Sequence, residues 1–198
     1  DKTGTLTCGR PEVTAAVSVS PAYSEADILR FTALAEQKSE HPLGKAILAR
    51  YTAENGLLSP AGFFKMYAGK GVTAETEGHT VTAGKPELME DLQIPLTEEI
   101  RADAVPYYAA GATVIYTAID SEPAGFLALA DVLRPDAAET VRKLKNAGVT
   151  PVLLTGDNEE AAGSIAAKAG IDNVRANLLP EGKMLIIREY NEKKEPVC

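Results

Sequence analysis

The last third of the chain alternates helix-like and strand-like segments, and this rhythm restricts the possible folds more than any other feature. Residues 136–147 and 159–169 have helical spacing, and each run ends at a glycine. The apolar run 149–154 between them is typical of a buried strand. A second strand is expected near Val174, followed by a helix over residues 180–190. This alternation predicts an α/β core in which helices cover both faces of a parallel sheet.

Residues 21–126 have a different texture, with helices first and short, glycine-interrupted strands later. Ser24 and Asp27 form a capping-box pattern before a helix that runs to about Gln37. A second helix is expected from Pro42 to Gly56. Further expected elements are antiparallel strands over 63–83, helices from Pro86 and over 96–110, a hairpin over 112–129 that turns at 121–123, and an opening strand at 196–198. We therefore expect one domain made of residues 1–20 and 127–198, with residues 21–126 inserted as an α+β domain.

The chain opens with Asp-Lys-Thr-Gly-Thr-Leu-Thr, in which a carboxylate precedes a glycine-containing turn of hydroxyls. The Asp1 carboxylate is a possible nucleophile towards phosphorus, provided that amides or cations meet the charge on the transferred oxygens. Gly4 lets backbone N–H groups approach, while Thr3 and Thr5 add hydroxyls. Asp, Thr and Gly are also common in ordinary turns and helix caps, which is the alternative interpretation.

Four segments together resemble one known family. The opening heptad resembles the phosphorylation motif of P-type ATPases, and the Thr-Gly-Asp-Asn segment at 155–158 resembles a second motif of these pumps. Leu-Pro-Glu-Gly-Lys at 179–183 resembles their lysine-containing segment, and Ser-Glu-His-Pro-Leu at 39–43 resembles the signature of the heavy-metal subgroup. The resemblance implies a haloacid-dehalogenase-like Rossmannoid core with an inserted nucleotide-binding domain.

The resemblance also implies catalytic roles for five residues. Asp1 would attack the γ-phosphate of ATP and form an acyl phosphate, and Lys183 would neutralise the transferred oxygens. Thr155 and Gly156 would supply a hydroxyl and an amide from a strand-to-helix turn. Asp157 would complete the site. The structural alternatives are a surface lysine at 183 and a helix cap at 157.

Thr3 distinguishes a pump from a phosphatase. Hydrolytic relatives with this core hold an aspartate two residues after the nucleophile, where it serves as general acid and activates water. The resemblance implies that Mg²⁺ is held by Asp1 and the Thr3 carbonyl, together with aspartates of a loop expected beyond Cys198. We therefore expect this chain to bind nucleotide without appreciable ATP hydrolysis.

In the inserted domain, the resemblance implies an adenine site at Glu36 and His41. A carboxylate accepts from the adenine amino group, and an imidazole can contact the purine. The structural alternative is an exposed Glu36 and a His41 that only caps a helix. Lys70 is open to either a phosphate contact or none. The glycines implied in nucleotide binding are Gly69, Gly71 and Gly84.

Charge and composition exclude several classes. The net charge of −8 and the absence of clustered Lys and Arg argue against a nucleic-acid partner. Cys8 and Cys198 form no metal-ligand pattern and favour a reduced compartment. The apolar runs are shorter than the ~20 residues of a membrane helix. Because the chain begins at Asp1, we expect it to be part of a longer protein whose membrane helices lie elsewhere.

The sequence thus predicts the cytosolic ATP-binding and phosphorylation domains of a heavy-metal cation pump. Its expected cofactors are ATP and Mg²⁺, and its expected partners are the transmembrane and actuator domains of the same parent chain and a transported transition-metal cation bound there. Zn²⁺/Cd²⁺ and copper remain alternative cargoes, and the local sequence resembles that of the Zn²⁺/Cd²⁺ pumps somewhat more closely. A soluble phosphatase or phosphomutase of the same superfamily, or a non-catalytic nucleotide-sensing module, is the alternative function.

Overall fold

The computed structural model describes residues 1–192, and the backbone divides into two compact units. Residues 1–9, 109–111 and those from 132 onward form the terminal unit, and residues 10–108 and 112–131 form the inserted unit. The boundaries therefore fall at 9/10 and 131/132, whereas the sequence predicts 20/21 and 126/127. Two strands explain the difference. Residues Thr7–Ser18 and Glu122–Leu133 each form a strand of twelve residues, and both strands belong to the sheet of the inserted unit.

The inserted unit contains a six-stranded sheet in the order β1-β6-β5-β4-β3-β2. The pairs from β2 to β6 with recorded registers are all antiparallel. Its strands are β1 (Thr7–Ser18), β2 (Phe64–Tyr67), β3 (Gly71–Thr76), β4 (His79–Gly84), β5 (Thr113–Ile119) and β6 (Glu122–Leu133). Its helices are α1 (Glu25–Ala35), a 3₁₀ turn (Glu36–Lys38), α2 (Pro42–Asn55), α3 (Pro86–Asp91) and α4 (Glu98–Ala109).

The predicted caps are confirmed at the first two helices. Ser24 accepts from the Asp27 N–H while the Asp27 carboxylate accepts from the Ser24 N–H, which is a complete capping box. Pro42 opens α2 and Gly56 ends it. Local spacing is enough to predict these ends because each cap joins residues only a few positions apart.

The β5–β6 hairpin turns earlier than predicted. Asp120 and Ser121 have φ angles of 52° and 68° and form a two-residue connection, so Pro123 lies inside β6 and not in the turn. Paired positive φ values match the right-handed twist of the flanking strands. A proline early in a strand is tolerated, and the register shifts between Thr117 and Ala118, opposite this segment.

Hydrophobic side chains cover both faces of the sheet of the inserted unit. Val114, Tyr116 and Ala118 belong to one buried cluster, whereas Ile115 and Ile119 belong to the other. Alternate residues of a strand point to opposite faces, so β5 is buried on both sides. Helices α1 and α2 contribute to the cluster around Ile115, and α3 and α4 contribute to the cluster around Tyr116.

The described part of the terminal unit is a smaller α/β arrangement. It contains an irregular turn (Lys2–Leu6), α5 (Ala137–Asn146), β7 (Val152–Leu154), α6 (Glu159–Ala169), β8 (Asn173–Arg175) and α7 (Pro180–Glu192). Strands β7 and β8 are parallel, as predicted. Their hydrophobic cluster is built on Val141, Leu153, Ala166, Ala169 and Ile171.

Strand β7 is shorter than the predicted 149–154. The Val149 N–H donates to the Leu144 carbonyl at 3.0 Å, so Val149 belongs to the turn that closes α5. The strand predicted at 196–198 lies outside the described residues. Among residues 1–192, no helix combines the length and the apolarity that crossing a bilayer requires.

Candidate functional site

The opening turn of the terminal unit is folded back on itself. Asp1 Oδ1 accepts from the Lys2 N–H at 3.0 Å, and the buried Thr7 hydroxyl donates to the Lys2 carbonyl at 3.1 Å. Gly4 reverses the chain with a φ of 76°, a conformation that L side chains rarely adopt. Asp1 therefore lies at the start of a turn that hydrogen bonds between its own residues stabilise.

Arg134 closes this turn from the far end of β6. Its backbone N–H donates to the Leu6 carbonyl at 2.8 Å, and its guanidinium donates to the carbonyls of Thr7 at 3.2 Å and Gly4 at 3.1 Å. Three donors from one residue thus fix the carbonyls of a short segment. The sequence analysis missed Arg134 because no local pattern connects it to a turn more than 120 residues away.

Lys183 reaches the predicted nucleophile. Its Nζ donates to Asp1 Oδ1 at 2.7 Å, and the side chains of Asp1 and Lys183 are 55% and 29% exposed. The Leu179 carbonyl accepts from the Lys183 N–H, which places Lys183 in the first turn of α7. Burial, together with the charge of Lys183, lowers the pKa of the Asp1 α-amino group. Two residues from opposite ends of the chain therefore form a directed ion pair.

Asp157 forms a second ion pair beside the turn. Lys2 Nζ lies 2.8 Å from Asp157 Oδ2, and the Thr155 hydroxyl donates to the same oxygen at 2.5 Å. Burial favours the neutral acid, but the hydrogen bonds from Lys2 and Thr155 outweigh it and lower the pKa of Asp157. Asp157 is therefore an anion at neutral pH.

The structure also corrects the capping alternative for Asp157. The helix cap of α6 is Asn158, whose side chain accepts from the Ala161 N–H at 2.8 Å. Thr155 is 3% exposed, and its hydroxyl hydrogen is directed at Asp157. Gly156 is exposed in the turn between β7 and α6. Thr155, Gly156 and Asp157 thus share one turn, and its carboxylate carries the contact to Lys2.

The residues predicted to hold Mg²⁺ supply few ligands. Asp1 Oδ1 is already bound by Lys183, and Thr3 is exposed. Within residues 1–192, no group of three or more acidic, histidine or cysteine side chains is placed to hold a metal. Mg²⁺ requires about six oxygen ligands in octahedral geometry. The donors of the described residues do not complete such a shell.

In the inserted unit, Glu36 is buried and incompletely bonded. The residue is 6% exposed, and its Oε2 has no hydrogen-bond partner among the described residues. Burial raises the pKa of Glu36, and the nearby Ser39 hydroxyl opposes part of this rise. The alternative of a solvent-exposed Glu36 is therefore wrong. A buried acceptor without a donor is costly and marks a place where a ligand donor would be favourable.

His41 caps α2 through its ring. Nδ1 accepts from the Leu43 N–H at 3.2 Å, and the residue is exposed. An accepting Nδ1 leaves Nε2 to carry the proton of the neutral ring, so this nitrogen can donate to a ligand. The cap and the predicted purine contact are therefore compatible, since they use different ring nitrogens.

The three predicted nucleotide glycines have different surroundings. Gly71 and Gly84 are cross-strand partners. A Cβ on Gly71 would lie 2.2 Å from the Ala83 carbonyl oxygen, and one on Gly84 would lie 2.5 Å from the Lys70 carbonyl oxygen. Gly69, with a φ of 72°, has nothing within 4 Å of its Cβ position. Close strand packing alone therefore explains Gly71 and Gly84, and Gly69 is the open position.

Lys70, between two of these glycines, is paired to Asp91 of α3. Its Nζ lies 2.5 Å from Asp91 Oδ2, with both side chains partly exposed. This contact ties the β2–β3 turn to α3. A phosphate contact by Lys70, left open by the sequence, would have to replace this ion pair.

The known proteins that resemble this chain are haloacid dehalogenase-like hydrolases and metal-transporting P-type ATPases. A family model for haloacid dehalogenase-like hydrolases matches residues 1–198. The chain is 39% identical over 188 residues to the silver exporting P-type ATPase of Salmonella typhimurium, a match that covers 94% of this chain and 22% of that protein. Its structure resembles that of a zinc-transporting PIB-type ATPase, with a TM-score of 0.86 and 32% identity, covering 98% of this chain and 31% of that one.

A second solved structure is similar over the same extent. The catalytic domain of the CPx-ATPase CopB-B, studied for its conformational changes upon nucleotide binding, matches with a TM-score of 0.67 and 27% identity. The match covers 98% of this chain and 67% of that one. The chain spans 22% of the silver ATPase and 31% of the zinc ATPase, which is less than a third of each. Because the family model matches the chain along its whole length, the chain belongs to the haloacid dehalogenase-like hydrolase family.

Proposed function

We propose that this chain is the phosphorylation and nucleotide-binding part of a heavy-metal-transporting P-type ATPase. In this proposal the terminal unit carries the phosphoryl acceptor and the inserted unit binds the nucleotide. ATP hydrolysis then proceeds through an aspartyl phosphate at Asp1 and drives cation transport in the parent protein. The similarity to the silver and zinc ATPases supports this function over the alternative of a soluble phosphatase or phosphomutase.

The contact between Lys183 Nζ and Asp1 Oδ1 at 2.7 Å carries the proposal. In the transfer step an Asp1 carboxylate oxygen forms a bond to the γ-phosphorus of ATP. The bond from that phosphorus to the bridging oxygen breaks, and ADP leaves with the electron pair. Charge accumulates on the transferred oxygens, where a fixed ammonium stabilises it. The Lys183 ammonium is hydrogen-bonded directly to the proposed acceptor carboxylate.

Thr3 supports a long-lived phosphoenzyme. Thr3 stands two residues after Asp1, is exposed, and offers neither an acid nor a base of suitable pKa. Asp157 is held as an anion by Lys2 and Thr155, so it is not a proton donor at neutral pH either. A phosphatase needs rapid release of phosphate, whereas a pump needs the acyl phosphate to persist during transport. The residues around Asp1 suit the pump.

Glu36 Oε2, which has no hydrogen-bond partner among residues 1–192, supports a purine site in the inserted unit. The exocyclic amino group of adenine has the N–H donors that this oxygen lacks. His41 Nε2–H is a second polar group available to the purine, and Gly69 is the open glycine for backbone approach. Gly71 and Gly84 contribute by allowing the strands that support this turn to pack.

The parent protein supplies the remaining parts of the proposal. Its transmembrane and actuator domains are the proposed partners, and this chain lies at the cytosolic face of the membrane. ATP and Mg²⁺ are the proposed cofactors, with Asp1 and the Thr3 carbonyl as part of the metal shell. The cargo is a transition-metal cation.

Calorimetric titration with a non-hydrolysable ATP analogue tests the nucleotide site. We expect saturable binding to the 198-residue chain and clearly weaker binding to His41→Gln, which loses the imidazole donor. A matched control is His79→Gln, because His79 is bonded to Asp120 instead. Binding that is absent in the folded chain, or equal in wild type and His41→Gln, would contradict the adenine site.

Covalent labelling tests the phosphoryl acceptor. After incubation with ATP and Mg²⁺, intact-mass and peptide mass spectrometry should place one acid-stable, hydroxylamine-sensitive phosphoryl group on Asp1. Asp1→Asn should show none and should bind the ATP analogue as wild type does. A label on another residue, with Asp1 unlabelled, would exclude Asp1 as the acceptor in this chain.

A further inference from the structure

Ser39 lies between two residues of the proposed purine site. It follows the 3₁₀ turn and is 7% exposed, and its backbone N–H donates to the Glu36 carbonyl at 2.9 Å. Serine is common in such turns, so the backbone contact alone has a structural explanation. The side chain needs a separate one, because a buried hydroxyl must also find partners.

The Ser39 hydroxyl faces both site residues. Its Oγ accepts from the His41 N–H at 3.3 Å. The same hydroxyl lies close enough to the Glu36 carboxyl to oppose the rise in the pKa of that group. One hydroxyl thus connects the carboxylate of the site to the backbone of the residue that caps α2.

Gly44 leaves the space that this arrangement needs. A Cβ at Gly44 would lie 2.5 Å from Glu36 Oε2 and 2.9 Å from Ser39 Oγ. Both distances are shorter than Cβ contacts in folded proteins, so any larger residue at position 44 would displace the carboxylate or the hydroxyl. Oε2 itself has no hydrogen-bond partner among residues 1–192. The carboxylate is therefore confined, and one of its oxygens lacks a donor among the described residues.

We propose that Ser39 is a positioning residue that orients the Glu36 carboxylate, with Gly44 providing the room, so that the site prefers purines with a 6-amino group. The inference rests on the proposed nucleotide-binding function and adds the two residues that set base preference. Ser39 acts through Glu36 and does not itself contact the base. Removing its hydroxyl should therefore affect the choice of base more than the affinity for the rest of the nucleotide.

The experiment compares two probes on the 198-residue chain by calorimetric titration. One is a non-hydrolysable ATP analogue, and the other is the same triphosphate analogue built on purine riboside, which lacks the 6-amino group. A hydrogen bond to a charged acceptor corresponds to a preference of about tenfold or more for the amino purine in the wild type. Ser39→Ala should bring this ratio close to one and leave the affinity for the purine riboside analogue almost unchanged.

Two further variants complete the test. Ser59→Ala is the matched control, because Ser59 is exposed and takes part in the structure through its backbone carbonyl. It should keep the full preference. Gly44→Ala retains the Ser39 hydroxyl and introduces a good helix former, so it remains informative if Ser39→Ala fails to fold. It too should lose the preference, because its Cβ displaces the carboxylate.

The outcomes separate the inference from the function on which it rests. Loss of preference in Ser39→Ala and Gly44→Ala, with retention in Ser59→Ala, supports the positioning role. Unchanged preference in folded Ser39→Ala, or an equal loss of affinity for both probes, overturns it while leaving the nucleotide site intact. A wild type that binds both probes equally, with no change in Glu36→Gln, overturns the proposed adenine site and the positioning role together.

Discussion

The proposed phosphoryl site of the terminal unit and the proposed purine site of the inserted unit are built in opposite ways. Asp1 and Lys183 are 182 positions apart in sequence, partly exposed, and joined by opposite charge. Glu36, Ser39 and His41 lie within six consecutive residues, and the first two are buried. The charged cluster thus forms between residues far apart in sequence, whereas the proposed base-binding residues come from one local turn.

The two sites also leave different groups unsatisfied. At the phosphoryl site, the carboxylates of Asp1 and Asp157 each have a lysine partner. At the purine site, Glu36 Oε2 has no partner within residues 1–192. Partly exposed ion pairs change the stability of the fold little in the absence of ligand. A buried acceptor without a hydrogen-bond donor, in contrast, lowers the stability of the fold unless a ligand supplies the donor.

Removing the Lys183 side chain should have the largest effect on activity, and it tests whether the Asp1–Lys183 ion pair takes part in phosphoryl transfer. Lys183→Ala is expected to lower the rate of Asp1 labelling by ATP about 100-fold, because one preorganised donor to a developing anion contributes about this much. Nucleotide affinity should stay the same. The rate is measured by mass spectrometry over time, with the exposed Lys168→Ala as control. A labelling rate within about twofold of wild type would show that the ion pair seen here has no part in transfer.

Substitutions at Gly71 and Gly69 would test which of these glycines serves strand packing and which serves the proposed purine site. Gly71→Ala places a Cβ against the Ala83 carbonyl at a φ of 150°, and should lower the free energy of unfolding by about 3 kcal/mol. Gly69→Ala meets nothing within 4 Å and should cost only about 1 kcal/mol for its positive φ. Urea unfolding followed by circular dichroism measures both.

The same two glycine variants separate packing from ligand approach. If Gly71→Ala keeps its stability but loses nucleotide binding, the glycine serves the ligand and the packing explanation is wrong. If Gly69→Ala weakens nucleotide binding with little loss of stability, Gly69 is the position at which the backbone approaches the nucleotide.

The charge of Glu36 should produce a smaller, pH-dependent effect. Burial raises the pKa of Glu36 above its ordinary value of 4.5, so the folded chain holds this proton more tightly than the unfolded chain. Stability linked to Glu36 is therefore fully present below the unfolded pKa and is lost as pH rises through the folded pKa. Glu36→Gln should be more stable than wild type near neutral pH, and the difference should shrink towards about pH 4.

Thermal unfolding across this pH range, without nucleotide, measures the effect. Glu75→Gln is the control, because Glu75 is exposed on β3. A Glu36→Gln variant that is less stable than wild type near neutral pH would mean that the carboxylate is stabilised by its surroundings. The contrast between a paired phosphoryl site and an unpaired purine site would then fail.

Much of the local structure could be predicted from sequence. The capping box at Ser24 and Asp27, the start of α2 at Pro42 and its end at Gly56 all appear as expected. Each depends on contacts within about four residues, which a single sequence displays directly. The α6 helix was likewise predicted at its observed bounds, although its cap is Asn158 and not Asp157.

Other features depended on partners that spacing does not reveal. Strand β1 lies within the segment predicted for the terminal domain and β6 crosses the predicted 126/127 boundary, yet both belong to the sheet of the inserted unit. Lys70 turned out to be tied to Asp91, and Arg134 to the opening turn. A lysine or an arginine in isolation is most often a surface residue, so only the folded chain identifies these contacts.

By itself, the sequence determined which residue types could take part in phosphoryl and purine chemistry, the order of most helices and strands, and the ends of α2 at Pro42 and Gly56. The tertiary structure alone decided that Lys183 meets Asp1, that Asp157 is held by Lys2, and that Glu36 is buried beside Ser39 and Gly44. The physical reason is range. Caps and turns are set by neighbouring backbone groups, whereas ion pairs and burial depend on which distant segments pack together.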